Sequence, residues 1–441
     1  MYGRCCINPS FILKRWGKEL FFVVLGQALA AVGALVGVRL LTEVLAPTLY
    51  GQLALAMTLF TLIQQLLVGP FAGAFTRFYT VAFENNEVPS YLQSIFWLMG
   101  RFGLLVLILG AAAVIFMEVS GQGDLVLLTV TTILFTLIAG TNIFLDGIQT
   151  AARHRIVVAW HQSISIWLRF LGAVLLISLL SASSQVAMAG YAISALFVLA
   201  SQAYFFKFSI SKDINYQTLA MRPVRGIWVD KINIYASPSI IWGIFTWAQM
   251  TSDRWALQAF TSTQVVGYYS ALYQIGYYPI ILLSTVLSQF ISPILFHQVG
   301  EATDLVRWEK AKRLVGWLVL ASSAGTMSIF GITLLLHKPI FGLLVGDEYR
   351  IVSSYLPWLT LSAGLFTIGQ MKSLLIMTTL NPKQLLLPKI LTAVAGVLLN
   401  FLGAMWFGLP GIVFASIIFS ASYLAWVSIL TTHHFQHKFI L

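Results

Sequence analysis

The sequence predicts an all-α integral membrane protein of about twelve transmembrane helices arranged as two six-helix lobes. Three observations carry that reading. Hydrophobic residues make up 59% of the 441-residue chain and charged residues 9%, whereas a soluble domain carries about a quarter charged residues. Apolar runs of about 20 residues, the length that crosses a bilayer as a helix, recur along the chain. Basic residues gather in alternate gaps between those runs.

The first run follows Arg4, Lys14, Arg15 and Lys18 and resembles a signal peptide, with Ala28-Leu29-Ala30 as a cleavage-site mimic. It continues to Val38, long enough to span, and reads as an uncleaved helix at 19–42. Further helices are expected at 51–80, 92–117, 125–150, 156–180 and 186–208, then at 232–256, 265–296, 314–336, 352–379, 384–407 and 410–432. Two charge-free stretches exceed one span. Ser181-Ala182-Ser183-Ser184-Gln185 divides one of them, and Thr261-Ser262-Thr263-Gln264 marks a turn before a long helix in the other. Pro70, Pro238, Pro279, Pro293 and Pro357 are expected bending points. The basic segment 209–231 separates an N-terminal lobe, 1–208, from a C-terminal lobe, 232–441.

Charge asymmetry sets the expected topology. With the N-terminus inside, nineteen Lys and Arg residues fall on the cytoplasmic side and Arg39, Arg254, Lys338 and Arg350 on the outer side. Both termini are then cytoplasmic. The formal charge of +11 comes from scattered residues, without the interleaved basic and aromatic patch of a nucleic-acid surface. No phosphate-cradling Gly-x-x-x-x-Gly-Lys-Ser/Thr loop occurs, so energy is expected from a gradient, the membrane potential or a partner. Adjacent Cys5 and Cys6 have no metal-ligand spacing. His433, His434 and His437 lack carboxylate or cysteine companions, so neither a metal nor a cofactor is expected.

An internal repeat is discernible. The segment Leu41 to Gly51 and the segment Leu257 to Gly267 each end a helix, turn, and enter a long helix at a glycine. Leu168-Arg169-Phe170-Leu171-Gly172 likewise corresponds to Leu399-Asn400-Phe401-Leu402-Gly403, with Ala189-Gly190-Tyr191 and Pro410-Gly411-Ile412 following. Parallel repeats of this kind place a site at mid-depth, where the two halves meet.

The stretch Asp253-Arg254-Trp255 through Gly267-Tyr268-Tyr269-Ser270-Ala271 resembles the helix 7–8 signature of polysaccharide biosynthesis proteins. Leu40-Leu41-Thr42 through Pro47, Tyr50-Gly51 and Gly73 to Arg77 resemble its N-terminal signature. Asn400-Phe401 and Gly408-Leu409-Pro410-Gly411-Ile412 resemble its last hairpin, with Pro410 where the family often has a small residue. The resemblance implies a Wzx-type O-antigen flippase of the multidrug/oligosaccharidyl-lipid/polysaccharide (MOP) exporter superfamily, with a MATE-like fold. It implies a bacterial inner-membrane location and an undecaprenyl-pyrophosphate-linked oligosaccharide as substrate, carried by alternating access for O-antigen, capsule or exopolysaccharide synthesis. Coupling to H⁺ or Na⁺, and polymerase or chain-length proteins as partners, belong to the same expectation.

Such an amphiphile needs fixed positive charge in a hydrated path, and Arg suits pyrophosphate through bidentate donation. Arg169 lies near the centre of an apolar run, where a guanidinium costs roughly 2.5–3.5 kcal/mol on insertion scales. It is the foremost substrate-binding candidate, with a structural pair to Asp146 as the competing reading. Lys372 and Arg101 also lie within spans but near enough to an end to snorkel. Arg77 is a substrate candidate or an interface anchor. Arg39 and Arg254, near the outer ends of helices 1 and 7, are candidates for head-group release. Asp146 is a candidate coupling residue or a partner of Arg153, and Asp253 a gating residue or a local partner of Arg254. Trp242, Trp247, Tyr268, Tyr269, Tyr273, Tyr277 and Tyr278 contact sugar or serve packing.

Three other functions compete. A cation-coupled multidrug exporter of the same superfamily would need an acidic cavity, which the basic set disfavours. Lipid II export is associated with two further helices. A membrane-embedded glycan polymerase would need a larger outer loop than Lys338 to Arg350, so a transporter is expected and not an enzyme.

Overall fold

The computed structural model describes residues 9–210, 225–299, 305–378 and 386–438, and among these residues there is no strand. Among the described residues twelve long helices follow in order. They are α1 (Pro9–Val44), α2 (Pro47–Glu84), α3 (Val88–Val119), α4 (Gly123–Ala151), α5 (Arg155–Leu179) and α6 (Ser184–Ile210). After the linker come α7 (Arg225–Phe260), α8 (Thr263–Gly276 continued by Tyr278–Val299), α9 (Leu305–Leu344), α10 (Asp347–Met377), α11 (Leu386–Phe407) and α12 (Leu409–Lys438). Eleven have the length and apolarity of a membrane span. The remaining one, α7, is 36 residues long but carries Asp230, Lys231, Asp253 and Arg254. The chain is a multi-pass membrane protein.

Several helices outrun the apolar runs that announce them. The run at 314–336 sits inside a 40-residue α9, because helical hydrogen bonding continues where hydropathy falls. That helix kinks at Leu336, just before Pro339. The turn expected at Thr261–Gln264 forms with Ser262 as N-cap, its hydroxyl accepting from the Val265 N–H. Pro279 falls at the joint between the two segments of α8. The α11–α12 turn places Gly408 at φ +62°, a conformation that suits glycine.

Packing divides the chain into two compact units. One takes in the described residues of Met1–Gly37 and Leu59–Gly243, and the other those of Val38–Thr58 and Ile244–Leu441. The neighbour pattern is the same in both. In the first, α4 packs on α6, α2 and α3, while α5 pairs with α6. In the second, α10 packs on α12, α8 and α9, while α11 pairs with α12. These are the corresponding members of two six-helix repeats.

Glycines mark the repeat at atomic scale. A Cβ on Gly190 would meet the Ala173 backbone at 2.5 Å, and one on Gly403 the Gly411 carbonyl at 2.6 Å. Both last hairpins therefore cross backbone to backbone. Within the second unit, a Cβ on Gly51 would fall on the Thr263 carbonyl and one on Gly267 on the Pro47 carbonyl. Pro47 and Thr263, and Gly51 and Gly267, are themselves equivalent positions of the repeat. The crossing is reciprocal.

Candidate functional site

The first unit holds Arg169 on α5. Phe170 beside it is 3% exposed and packs where Gly37 on α1 has no side chain. That contact orients the α5 turn carrying the guanidinium. Arg169 Cζ lies 5.0 Å from the Phe170 ring centroid and 5.3 Å from that of Tyr191 on α6. Aromatic faces attract the cation without neutralising it. Its Nε is buried without a hydrogen-bond partner, and no ion pair to Arg169 occurs among the described residues. No ion pair joins it to Asp146, whose carboxylate accepts from two glutamines.

Asp146 on α4 is held by two carboxamides. Its Oδ1 accepts from Gln202 Nε2 at 2.8 Å and its Oδ2 from Gln162 Nε2 at 3.2 Å. Gln27 on α1 in turn donates to Gln162 Oε1 at 3.5 Å. Asn142 and Gln149, four residues before and three after Asp146, share its helix face. Asn142 Oδ1, Gln149 Nε2 and Gln202 Oε1 are buried without partners, each such group costing about 1–3 kcal/mol. The pairing with Arg153 considered from sequence is absent among the described residues. Arg153 instead occupies the α4–α5 turn at φ +65°. Sequence reasoning singles out the carboxylate but misses its two glutamine partners. The signal is there in polar residues one turn apart on α4 and in Gln162 and Gln202 within the apolar stretches of α5 and α6.

Arg101 on α3 is exposed, with Cζ 4.6 Å from the Trp97 ring. Arg77 near the end of α2 is exposed as well.

The second unit holds the other candidates. Asp253 on α7 is 5% exposed. Its Oδ2 accepts from the Tyr269 hydroxyl at 2.7 Å, and its Oδ1 accepts from the Arg254 N–H at 2.7 Å and from Arg254 Nη1 at 3.3 Å. The Arg254 guanidinium also donates to the Met250 carbonyl and lies 4.6 Å from the Tyr273 ring. Next to the pair, Asn400 Nδ2 donates to Ser252 Oγ at 2.9 Å. Asn400 is the repeat equivalent of Arg169, so one half spends this position on a neutral tie and the other on a cation.

Arg39, at the end of α1, is engaged with Glu43 and with the Gly342 and Val345 carbonyls at the C-terminus of α9. A guanidinium there satisfies carbonyls the helix leaves open and meets the negative end of its dipole. Thr42 and Tyr349 complete this corner, Thr42 Oγ1 accepting from the Gly346 N–H and Tyr349 donating to the Leu45 carbonyl. Lys372 on α10 donates to Ser428 Oγ on α12 at 2.8 Å, with no carboxylate paired to it among the described residues. Within either unit, Asp253 and Arg254 are the candidates joined to each other.

The expected aromatic cluster is partly used in packing. Tyr269, Tyr273 and Tyr277 form a ladder of ring contacts along α8, and Trp247 donates to the Thr58 carbonyl. His433, His434 and His437 have side chains outside the described residues, and no metal-binding cluster occurs among those described.

Two like lobes of six helices, with sparse charges held at depth among aromatic rings and amides, define a membrane protein with the fold of MOP-superfamily transporters. The structure is similar to an inward-facing multidrug resistance MATE family transporter of that superfamily, with a TM-score of 0.72, 14% identity and coverage of 94% of this chain and 96% of that one. It is also similar to the lipid II flippase MurJ in an inward closed conformation, with a TM-score of 0.69, 13% identity and coverage of 93% and 87%. A mutant of the Vibrio cholerae MATE transporter VcmN matches with a TM-score of 0.63, 11% identity and coverage of 97% and 98%. No curated protein matches the sequence. The family profile described as "Polysaccharide biosynthesis protein" matches residues 16–298. The chain belongs to the polysaccharide biosynthesis protein family.

Proposed function

We propose that this protein is a flippase that carries polyprenyl-pyrophosphate-linked oligosaccharide repeat units across the bacterial inner membrane by alternating access. The single observation that carries the reading, beside family membership, is Arg169: a guanidinium at mid-span, cradled by two aromatic rings and lacking a carboxylate partner among the described residues. An intramembrane charge left in that state is expected to meet water or an anionic ligand. A pyrophosphate fits, since it accepts the parallel donors of a guanidinium.

On this reading Arg169 is the main pyrophosphate ligand. Lys372 contributes a point charge from the C-terminal lobe, and Arg101 and Arg77 draw the head group in. Arg254 and Arg39 already hold protein partners and act at the ends of the path, in gating and release, Arg254 together with Asp253. Asp146 is the site for a coupling H⁺ or Na⁺. The N-terminal lobe, 1–208, and the C-terminal lobe, 232–441, supply the moving bodies, with 38–58 grouped with the second and 232–243 with the first as they pack. The MATE likeness favours a second reading, cation-coupled drug export. Drug cations call for acid at the binding depth, and the basic side chains of Arg169 and Lys372 argue against it.

Deleting the gene should make lipid-linked repeat units accumulate in the inner leaflet, read by their resistance to outward-acting glycan-modifying reagents. Normal surface polysaccharide after deletion, in a strain without a second flippase, overturns the assignment.

A further inference from the structure

Helix α2 changes pitch at its middle. From Gln64 to Val68 it turns as a π-helix, with the Gly69 N–H donating to the Gln64 carbonyl. Pro70 supplies a cause, because it has no N–H for the Leu66 carbonyl that an α-helix would pair with it. Packing then holds the widened turn. A Cβ on Gly243 of α7 would fall on the Gln65 carbonyl, so the α7 backbone lies directly over the bulge. Phe60 below it packs on Phe135 at 4.9 Å. Val68 above it is 4% exposed, in a cluster with Phe71, Phe75 and Trp228. Single π turns within α-helices are frequent at functional sites.

The bulge carries two adjacent carboxamides, Gln64 and Gln65, at about 26 Å along the α2 axis by the 1.5 Å rise. Both are half-buried, and no side-chain hydrogen bond to either is found among the described residues. Carboxamides at that depth do not face hydrocarbon without partners, since the transfer costs about 4–8 kcal/mol. They line a hydrated path or meet a polar ligand. Their chemistry differs from that of the basic set. A neutral carboxamide both donates and accepts, which matches a hydroxyl and does nothing to neutralise a phosphate.

We propose that Gln64 and Gln65 form a hydroxyl-recognising subsite for the glycan portion of the transported lipid, set at mid-depth by the π-turn and by Gly243. The proposal rests on the flippase reading, and places sugar recognition apart from the basic residues that take the pyrophosphate.

The test uses the full chain in nanodiscs and two probes. One is the lipid-linked repeat unit extracted from the deletion strain, the other sugar-free undecaprenyl pyrophosphate. Replacing both glutamines by Met keeps their length and helix propensity and removes the hydrogen bonds; Gln64→Asn with Gln65→Asn is the polar control. The Met variant should bind the glycan-bearing lipid about tenfold more weakly, the loss of one to two hydrogen bonds, and the sugar-free lipid as wild type does. The Asn variant should recover part of the loss. Equal binding of the glycan-bearing lipid by wild type and the Met variant overturns the subsite, as does equal weakening toward both probes. If the Met variant does not fold, the Asn variant decides, and unchanged preference for the glycan-bearing lipid in it counts against the subsite. Wild-type protein that binds neither probe overturns the flippase reading itself, and the subsite with it.

Discussion

Replacing Gly267 by Ala adds one methyl group at the reciprocal crossing of α2 and α8. That Cβ would lie on the Pro47 carbonyl, far inside the 3.0 Å that real Cβ atoms keep. Backbone cannot swing aside as a flexible side chain does, so the segments must part by about 1 Å, and overpacking of this kind costs about 1–3 kcal/mol. Gly51→Ala strikes the Thr263 carbonyl at the equivalent place and should cost about as much. Because both act on one crossing, the double variant should lose clearly less than the sum, with a coupling of about 0.5–3 kcal/mol. Gly325→Ala and Gly331→Ala, where a Cβ meets nothing within 4 Å, are the controls and should leave stability equal or slightly raised. The assay is unfolding of detergent-purified protein, followed by loss of monodisperse protein on heating. Wild-type stability for Gly267→Ala, or strict additivity of the pair, refutes the reciprocal crossing.

Asp146→Ala removes the acceptor that holds Gln162 and Gln202, leaving the 1% exposed Gln202 amide without its partner. A loss of about 1–3 kcal/mol is expected in the same assay, whereas Asp146→Asn should keep the side chain's size and shape but stop transport from responding to an imposed ion gradient. A gradient response intact in Asp146→Asn would remove this residue from coupling. Tyr349→Phe deletes the hydrogen bond to the buried Leu45 carbonyl and should cost about 0.5–1.5 kcal/mol; an unchanged thermal midpoint would show that the corner at Arg39, Thr42 and Tyr349 contributes no stability.

Much of the fold is legible because the bilayer imposes length and apolarity on every span. The repeat could be read from Gly51 and Gly267, and from Gly172 and Gly403, since backbone crossings demand glycine where other apolar contacts accept many residues. Helix ends were less legible: hydropathy reports the bilayer core, whereas α7 and α9 continue beyond it. In the site the charges are legible and their partners are not. Asp146 takes glutamines and not Arg153, and Arg39 takes the carbonyls ending α9, some 300 residues on. Contacts between segments that distant leave no local trace in sequence. The π-turn at Gln64 escaped for a related reason: Pro70 announces a bend but not which upstream turn will widen.

The most direct test of the central claim is flipping by purified protein in proteoliposomes, using the lipid-linked repeat unit from the deletion strain and scoring its exposure to a glycan-modifying enzyme on the far side. Wild-type protein should translocate the lipid, and Arg169→Ala should lower the rate about 10- to 100-fold, the range expected for a lost charge-assisted contact, with folding intact. Translocation by Arg169→Ala at the wild-type rate, or wild-type vesicles no faster than protein-free ones, contradicts the account.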